Sequence, residues 1–367
     1  MQPSHMLLLV AIALFLTRRD KSSDIMVSST SSVLSLAIAS IAKRVCLLFA
    51  LFALYVCIVN SAWMAILASY KPLLFASFQI YNLALVYFIC CVASKDFYTF
   101  ARYTRWGFLL ANVAIITSIL YSGVSSASRE SGLFNNPNQL AFFCLSTCLC
   151  FYVMEKVSIG ASFWNRAMIG FSCFICILTL SRAGLVACGL VFISSLLDGG
   201  RKFSRGLVIF AIGILLGFFV LSTGLLDKIE ARNNQTNVVF EDQYQGRGYD
   251  RIEGNPEYIL LGAGEGEYRR FSGLLASMGG EMHSSVGTLI FSYGLIGFGL
   301  YSVIWWTMFF SYPGISYKIC AAAPIIYGLT HNGLRFSAAL IAIMLMIFGG
   351  IAALHNEKNL KAKVNNE

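Results

Sequence analysis

Ionisable side chains are scarce in this chain. Asp, Glu, Lys and Arg make up 12% of it, and hydrophobic residues make up 57%. A soluble domain is about a quarter charged, so the composition excludes one. Disulfide chemistry has no footing either. All eleven Cys lie in or beside apolar segments, and the long polar loop at 225–284 has none. Cys173 and Cys176 form a C-x-x-C, but within an apolar run, where packing is expected over redox or metal chemistry. No His, Cys and carboxylate cluster has metal-ligand spacing, and no Asp-x-Asp stands at a membrane joint. Gly262, Gly264 and Gly266 alternate, yet the downstream Lys-Ser/Thr of a nucleotide loop is missing. A cleavable signal peptide is missing too, because Arg18, Arg19 and Lys21 follow the apolar residues 6–16. Metal, cofactor and nucleic acid therefore have no sequence signature here.

What is present is apolar length. Runs of spanning or near-spanning length fall at 3–17, 45–67, 72–93, 106–122, 138–154, 165–181, 183–198, 207–224, 285–310, 318–330 and 336–354. These eleven runs predict an all-α polytopic transmembrane helix bundle. Residues 22–42 are Ser-rich and admit two readings, a surface helix or a poor span. Three parts follow: N-terminal helices over 1–224, the loop over 225–284, and C-terminal helices with a tail over 285–367.

Charge sets the expected orientation. The joints at 18–44, 95–105, 156–166, 201–205 and 318, with the tail from 355, hold seventeen Lys and Arg. The short joints opposite hold four, namely Lys71, Arg129, Arg182 and Arg335. The positive-inside bias then puts the tail in the cytoplasm and the loop outside it. It also accounts for most of the net charge of +9, which is not a nucleic-acid signature. The N-terminus falls outside, with two residues before the first run. A further span ahead of this one would resolve that awkward start.

Four constellations carry candidate chemistry, and each has a plain structural alternative. Ser181-Arg182-Ala183-Gly184 joins two apolar runs almost without a loop. An Arg so close to hydrocarbon faces a polar cavity or a partner, or else snorkels to cap a helical hairpin. Asn135-Asn136-Pro137-Asn138 favours a turn and a helix start. Asn136 or Asn138 caps that helix, or its amide binds sugar hydroxyls. His283 stands where the long loop meets the membrane. It is a base near neutral pH, or a structural imidazole. Arg247, Arg251, Arg269 and Arg270, with Glu265, lie in the loop beside its other acids. Arg holds phosphate bidentately, or pairs with the ten loop acids. Together with Arg129, His331 and Arg335 these residues gather positive charge at one predicted face.

These elements, in this order, resemble the O-antigen ligase and O-antigen polymerase superfamily of bacterial membrane proteins. The resemblance covers most of the chain after residue 45. It rests on Asn136-Pro137-Asn138, Ser181-Arg182-Ala183-Gly184, Leu260-Leu261-Gly262-Ala263-Gly264, and His283 followed by Gly294-Leu295-Ile296-Gly297. One departure is Ser284, where many members have Asn after the His. Another is the eleven runs, where about twelve spans are expected. The resemblance implies a multi-pass protein of the bacterial inner membrane with a periplasmic loop. It implies transfer of a glycan from an undecaprenyl diphosphate donor to a hydroxyl, without metal or cofactor. The acceptor would be a second lipid-linked repeat unit or lipid A-core. A chain-length regulator or a flippase would be the partner protein. His283 would be the base, and Arg182 with one of Arg247 or Arg251 would grip the diphosphate. Arg269, Arg270, Glu265, Arg129, Asn138 and Arg335 complete the expected binding set. A transporter or flippase is the competing class. It would carry ionisable groups at mid-span, where this chain has the uncharged Asn60, Gln79, Asn82 and Asn112.

Overall fold

Asn136 and Pro137 start a helix for two separate reasons. Asn136 is extended, and its Oδ1 accepts a hydrogen bond from Gln139 N at 2.9 Å. Pro137 takes the first helical position, where its missing N–H is not needed. This helix is the fourth in a computed structural model that describes residues 29–122, 130–198, 244, 246–271 and 280–365. In chain order the helices are α1 (Ser29–Leu67), α2 (Lys71–Lys95), α3 (Phe97–Ser122), α4 (Pro137–Lys156), α5 (Ser162–Leu178) and α6 (Arg182–Asp198). The short α7 (Asp250–Gly254), then α8 (Ser285–Phe310), α9 (Ile315–Gly328) and α10 (Ser337–Val364) complete the α-helices among the described residues. No strand occurs among the described residues.

Every residue of α4 from Leu140 to Met154 is buried. A helix that packs on all sides belongs at the centre of a bundle. Here α5, α6 and α10 pack against α4, α1 pairs with α2, and α8 lies on α1 and α9. At one end of the bundle sit the basic joints. There Lys156 pairs with Asp198 at 2.8 Å and Tyr98 donates to Asn356 Oδ1 at 2.9 Å. The described part of the long loop covers the other end.

Six helices, α1 to α4, α8 and α10, are long and apolar enough to cross a membrane. The fold is therefore all-helical and of membrane type, with six such helices among the described residues. The runs at 165–181 and 183–198 become α5 and α6, of 17 residues each, and the run at 318–330 becomes α9, of 14. At 1.5 Å per residue they reach only about 26 and 21 Å, short of a hydrocarbon core of about 30 Å. The runs at 3–17 and 207–224 lie outside the described residues.

Residues 29–42 are neither a surface helix nor a separate span. They are the first part of α1, which is continuous for 39 residues. Leu34, Ile38, Ala42, Val45, Phe49, Phe52 and Val56 form one buried stripe at three- and four-residue spacing. Lys43 and Arg44 are exposed, so they interrupt the hydropathy but not the helix.

α8 is broken. Gly294 has φ 64° and ψ −175°, in the middle of the helix. A break frees backbone groups that hydrocarbon cannot satisfy. The loop satisfies them. Ala263 N donates to Phe291 O at 2.8 Å, Gly264 N to Ser292 O at 2.8 Å, and Leu295 N to Ile259 O at 2.8 Å. The approach is close enough to require glycine on both sides. A Cβ at Gly294 would lie 2.3 Å from Leu260 O, and one at Gly262, φ +90°, would lie 2.4 Å from Ser292 O. The alternating glycines of the loop and the Gly294 of the helix are thus two halves of one joint.

Gly294→Ala should lower stability by more than about 2 kcal/mol, through left-handed backbone strain and the clash together. In detergent this is a fall in melting temperature of about 4–8 °C. Gly299→Ala is the control, because a Cβ at Gly299 meets nothing within 4 Å. Equal melting temperatures for the two variants would mean that the joint contributes nothing.

Candidate functional site

The two chain segments that build the site are tied to each other first. Ser284 caps α8 by accepting from Gly287 N at 2.9 Å. Ser285 N and Ser285 Oγ both donate to His331 O, at 3.2 and 3.1 Å. Asn332 Nδ2 donates to Thr288 Oγ1 at 3.1 Å. The start of α8 and the joint between α9 and α10 therefore move together. The buried Asn82 of α2 fixes that joint from below, donating to Leu334 O at 2.8 Å. This is what a polar residue in mid-helix does here: it positions Arg335.

A polar cavity of about 670 Å³ opens between these segments. Its floor is a column of rings. Phe336 stacks on Phe142 at 5.5 Å, Phe142 on Tyr327 at 4.6 Å, and Tyr327 on His331 at 4.7 Å. Tyr327 also donates to Asn138 O at 2.6 Å, which joins the start of α4 to the site. Arg247, Glu281, His283, Asn332 and Arg335 supply the polar wall. Arg247 Nη1 donates to Thr330 O, and Arg247 O accepts from His283 N at 3.3 Å. Arg335 makes a two-pronged pair with Glu281, at 2.6 and 3.4 Å.

His283 is exposed to the cavity, yet its pKa is lowered from the ordinary 6.5. Burial by the surrounding protein is the main cause, and the Arg247 charge adds to it. The imidazole is therefore neutral at pH 7 and able to accept a proton. Arg335 is shifted the other way. Glu265 and Glu281 raise its pKa against the cost of burial, so its charge is fixed.

Of the ten residues expected at the site, His283, Arg247, Arg335 and Asn138 line this cavity. Glu265 stands behind it, 2% exposed. Its Oε2 accepts from the Tyr293 hydroxyl at 2.7 Å, and burial raises its pKa. Arg251 is elsewhere, buried in the loop, where Nη1 donates to Gly280 O at 2.7 Å and the guanidinium faces Tyr268. Arg270 is elsewhere too. It lies 4.1 Å over Trp63 and donates to Ala263 O, so it clamps the docked strip onto α1. Arg269 is exposed on the loop. Arg182 is the first residue of α6 and exposed, and is not among the described residues lining the cavity. Arg129 lies outside the described residues. Asn136, not Asn138, is the cap of α4.

Tyr327, Asn332, Gln139 and Phe142 also line the cavity, although the sequence does not single them out, and His331, which the sequence marks only as a charge, joins them. A short joint crowded with Thr330, His331, Asn332 and Arg335 between two apolar runs was the available signal. Among the described residues no group of three His, Cys, Asp or Glu is placed to hold a metal ion. The eleven Cys are free thiols, with Cys173 and Cys148 touching at 4.0 Å inside the bundle.

Beside the polar cavity lies an apolar groove of about 1020 Å³ between α2, α3, α4 and α10. Phe78, Gln139, Arg335 and Phe336 line both spaces. Arg335 stands at the seam, its guanidinium 4.7 Å from the Phe75 ring and 5.4 Å from the Phe78 ring.

Removing the Arg247 charge should raise the His283 pKa. The check is the pH dependence of His283 modification by diethylpyrocarbonate, with His5, His331 and His355 replaced by Gln. The half-point should move up in Arg247→Gln, toward about 6.5. No movement would mean that Arg247 does not set the imidazole's protonation.

No protein-family model matches the chain, and no curated protein matches it.

Proposed function

We propose that this chain is a lipid-linked glycan transferase. It moves a glycan from an isoprenyl diphosphate donor to a hydroxyl acceptor, at the face of the membrane covered by the long loop. The observation that carries this is the adjacency of the two spaces. A polar cavity with two Arg and two His shares Phe78, Gln139, Arg335 and Phe336 with an apolar groove, so one guanidinium borders both. A lipid diphosphate has this shape: a charged head, a long apolar tail, and a sugar beyond the head.

In this reading the tail lies in the groove and the diphosphate sits between Arg335 and Arg247. Neutral His283 takes the proton of the acceptor hydroxyl. The acceptor oxygen attacks the anomeric carbon, the carbon–oxygen bond to the diphosphate breaks, and its electrons leave with the diphosphate. Arg247 and Arg335 stabilise the charge that develops there, in a site partly shielded from water. Fixed positive charge aimed at the leaving group is the largest contribution such a site makes. The column of rings gives the sugar an apolar floor, and Asn138 supplies an amide for its hydroxyls.

The family resemblance of the motifs narrows this proposal. With undecaprenyl diphosphate as the lipid, the protein belongs in a bacterial inner membrane with its loop in the periplasm. A second lipid-linked repeat unit as acceptor makes it an O-antigen or exopolysaccharide polymerase, the form preferred here. Lipid A-core as acceptor makes it a ligase. The glycan of a deletion strain separates the two. Single repeat units on the core mark a polymerase, and long chains stranded on the carrier lipid mark a ligase. A transporter is the weaker reading. The buried polar residues Asn60, Gln79, Asn82 and Asn112 of the described spans are uncharged, while the ionisable groups named above stand at the two ends of the bundle.

Two measurements test the chemistry and the groove. His283→Ala should slow transfer by purified protein in lipid by about 10²–10⁴-fold, with donor binding nearly unchanged. A wild-type rate would make His283 structural. Gly107 lines the groove, and a Cβ there meets nothing within 4 Å. Gly107→Leu should therefore fill tail space without harming the fold. Donor kcat/KM should fall about tenfold or more at unchanged melting temperature. An unaltered kcat/KM would remove the tail from this groove.

A further inference from the structure

Arg335 is the residue best placed to hold a diphosphate, yet it already has an anion. Glu281 grips it with both carboxylate oxygens, at 2.6 and 3.4 Å. A carboxylate held this way by a guanidinium occupies the place a phosphate would take. The pair is unequal in its freedom. The Arg335 guanidinium lies over the rings of Phe75 and Phe78, and its side chain is 22% exposed. The Glu281 side chain is 40% exposed and lines the cavity. The backbone beside Glu281 is held, since Met282 is buried and Met282 O accepts from Asn332 Nδ2 at 3.5 Å. The carboxylate can swing away while the chain that carries it stays in place.

The second carboxylate near Arg335 behaves differently. Glu265 is 2% exposed, and both its backbone N–H and its Oε2 are engaged, by Asn60 and Tyr293. It is a carboxyl fixed in place. Arg335 therefore has one carboxyl behind the cavity that stays in place and one carboxylate in the cavity that can leave.

We propose that Glu281 is an internal counter-anion for Arg335, displaced when the phosphate of a lipid diphosphate enters the cavity. The inference rests on the transferase reading for the identity of the ligand. Glu281 is then a positioning residue. Before the ligand arrives it keeps the guanidinium aimed into the cavity. After transfer it competes with the spent diphosphate for the same guanidinium and speeds its departure. No covalent step is involved, only the exchange of one anion for another.

The test is the affinity of the purified full chain in lipid nanodiscs for two probes, inorganic pyrophosphate and farnesyl diphosphate, by calorimetry. Glu281→Gln keeps the shape of the side chain and removes the competing charge. Both probes should bind roughly three- to tenfold more tightly than to wild type, the scale of a partly exposed two-pronged ion pair. Arg335→Gln should weaken both. Glu281→Ser, which cannot reach Arg335, should share the sign of Glu281→Gln and covers the case in which Gln perturbs folding. If the wild type binds the probes and neither Glu281 variant tightens them, Glu281 is no counter-anion, while the diphosphate reading stands. Weaker binding in both variants would make Glu281 a structural support for Arg335 and overturn the proposal equally. If no form of the protein binds either probe, the diphosphate reading falls, and this inference falls with it.

Discussion

When α8 breaks at Gly294, Phe291 O loses the N–H of Leu295, which points instead to Ile259 O. Ala263 N takes its place on Phe291 O, and Gly264 N reaches Ser292 O. The rest of the site depends on this exchange of partners. It holds residues 259–264 against the first half of α8, and Arg270, Trp63 and Tyr55 hold the same strip against α1. Glu265 follows directly and places its buried carboxyl behind Arg335. The loop is thereby a structural wall of the bundle at this end.

Much of the architecture is legible in the sequence, and the reasons differ by element. Asn136-Pro137 and Ser284 announce helix starts because capping is local: the cap and the N–H it accepts from are three residues apart. The buried stripe of α1 is legible through its spacing, although a hydropathy window that stops at Lys43 and Arg44 conceals it. The fates of the loop arginines are not legible. Arg247 lines the cavity, whereas Arg270 is spent on Trp63, far away in sequence, and Arg251 on Gly280. Four arginines in one polar loop look alike until the partners arrive from other segments. The ring column is hidden for the same reason, since Phe142, Tyr327 and Phe336 come from three separate stretches.

The cavity and the groove differ in what limits them. Polar walls are held by hydrogen bonds between joints, and these tie α2, α4, α8 and the α9–α10 joint together. The groove is bounded partly by α3, the least buried of the six long helices. A hydrogen-bonded polar wall is thus paired with a flank that packs less against the rest of the bundle.

The length of α1 has a mechanical consequence. At 39 residues it measures about 58 Å, and even at a tilt of 40° it rises about 45 Å, beyond a hydrocarbon thickness of about 30 Å. Its C-terminal end is pinned to the loop through Trp63 Nε1, which donates to Gly262 O at 3.1 Å. The surplus length must then emerge at the opposite end. A thicker membrane covers more of that surplus, and a thinner one uncovers more.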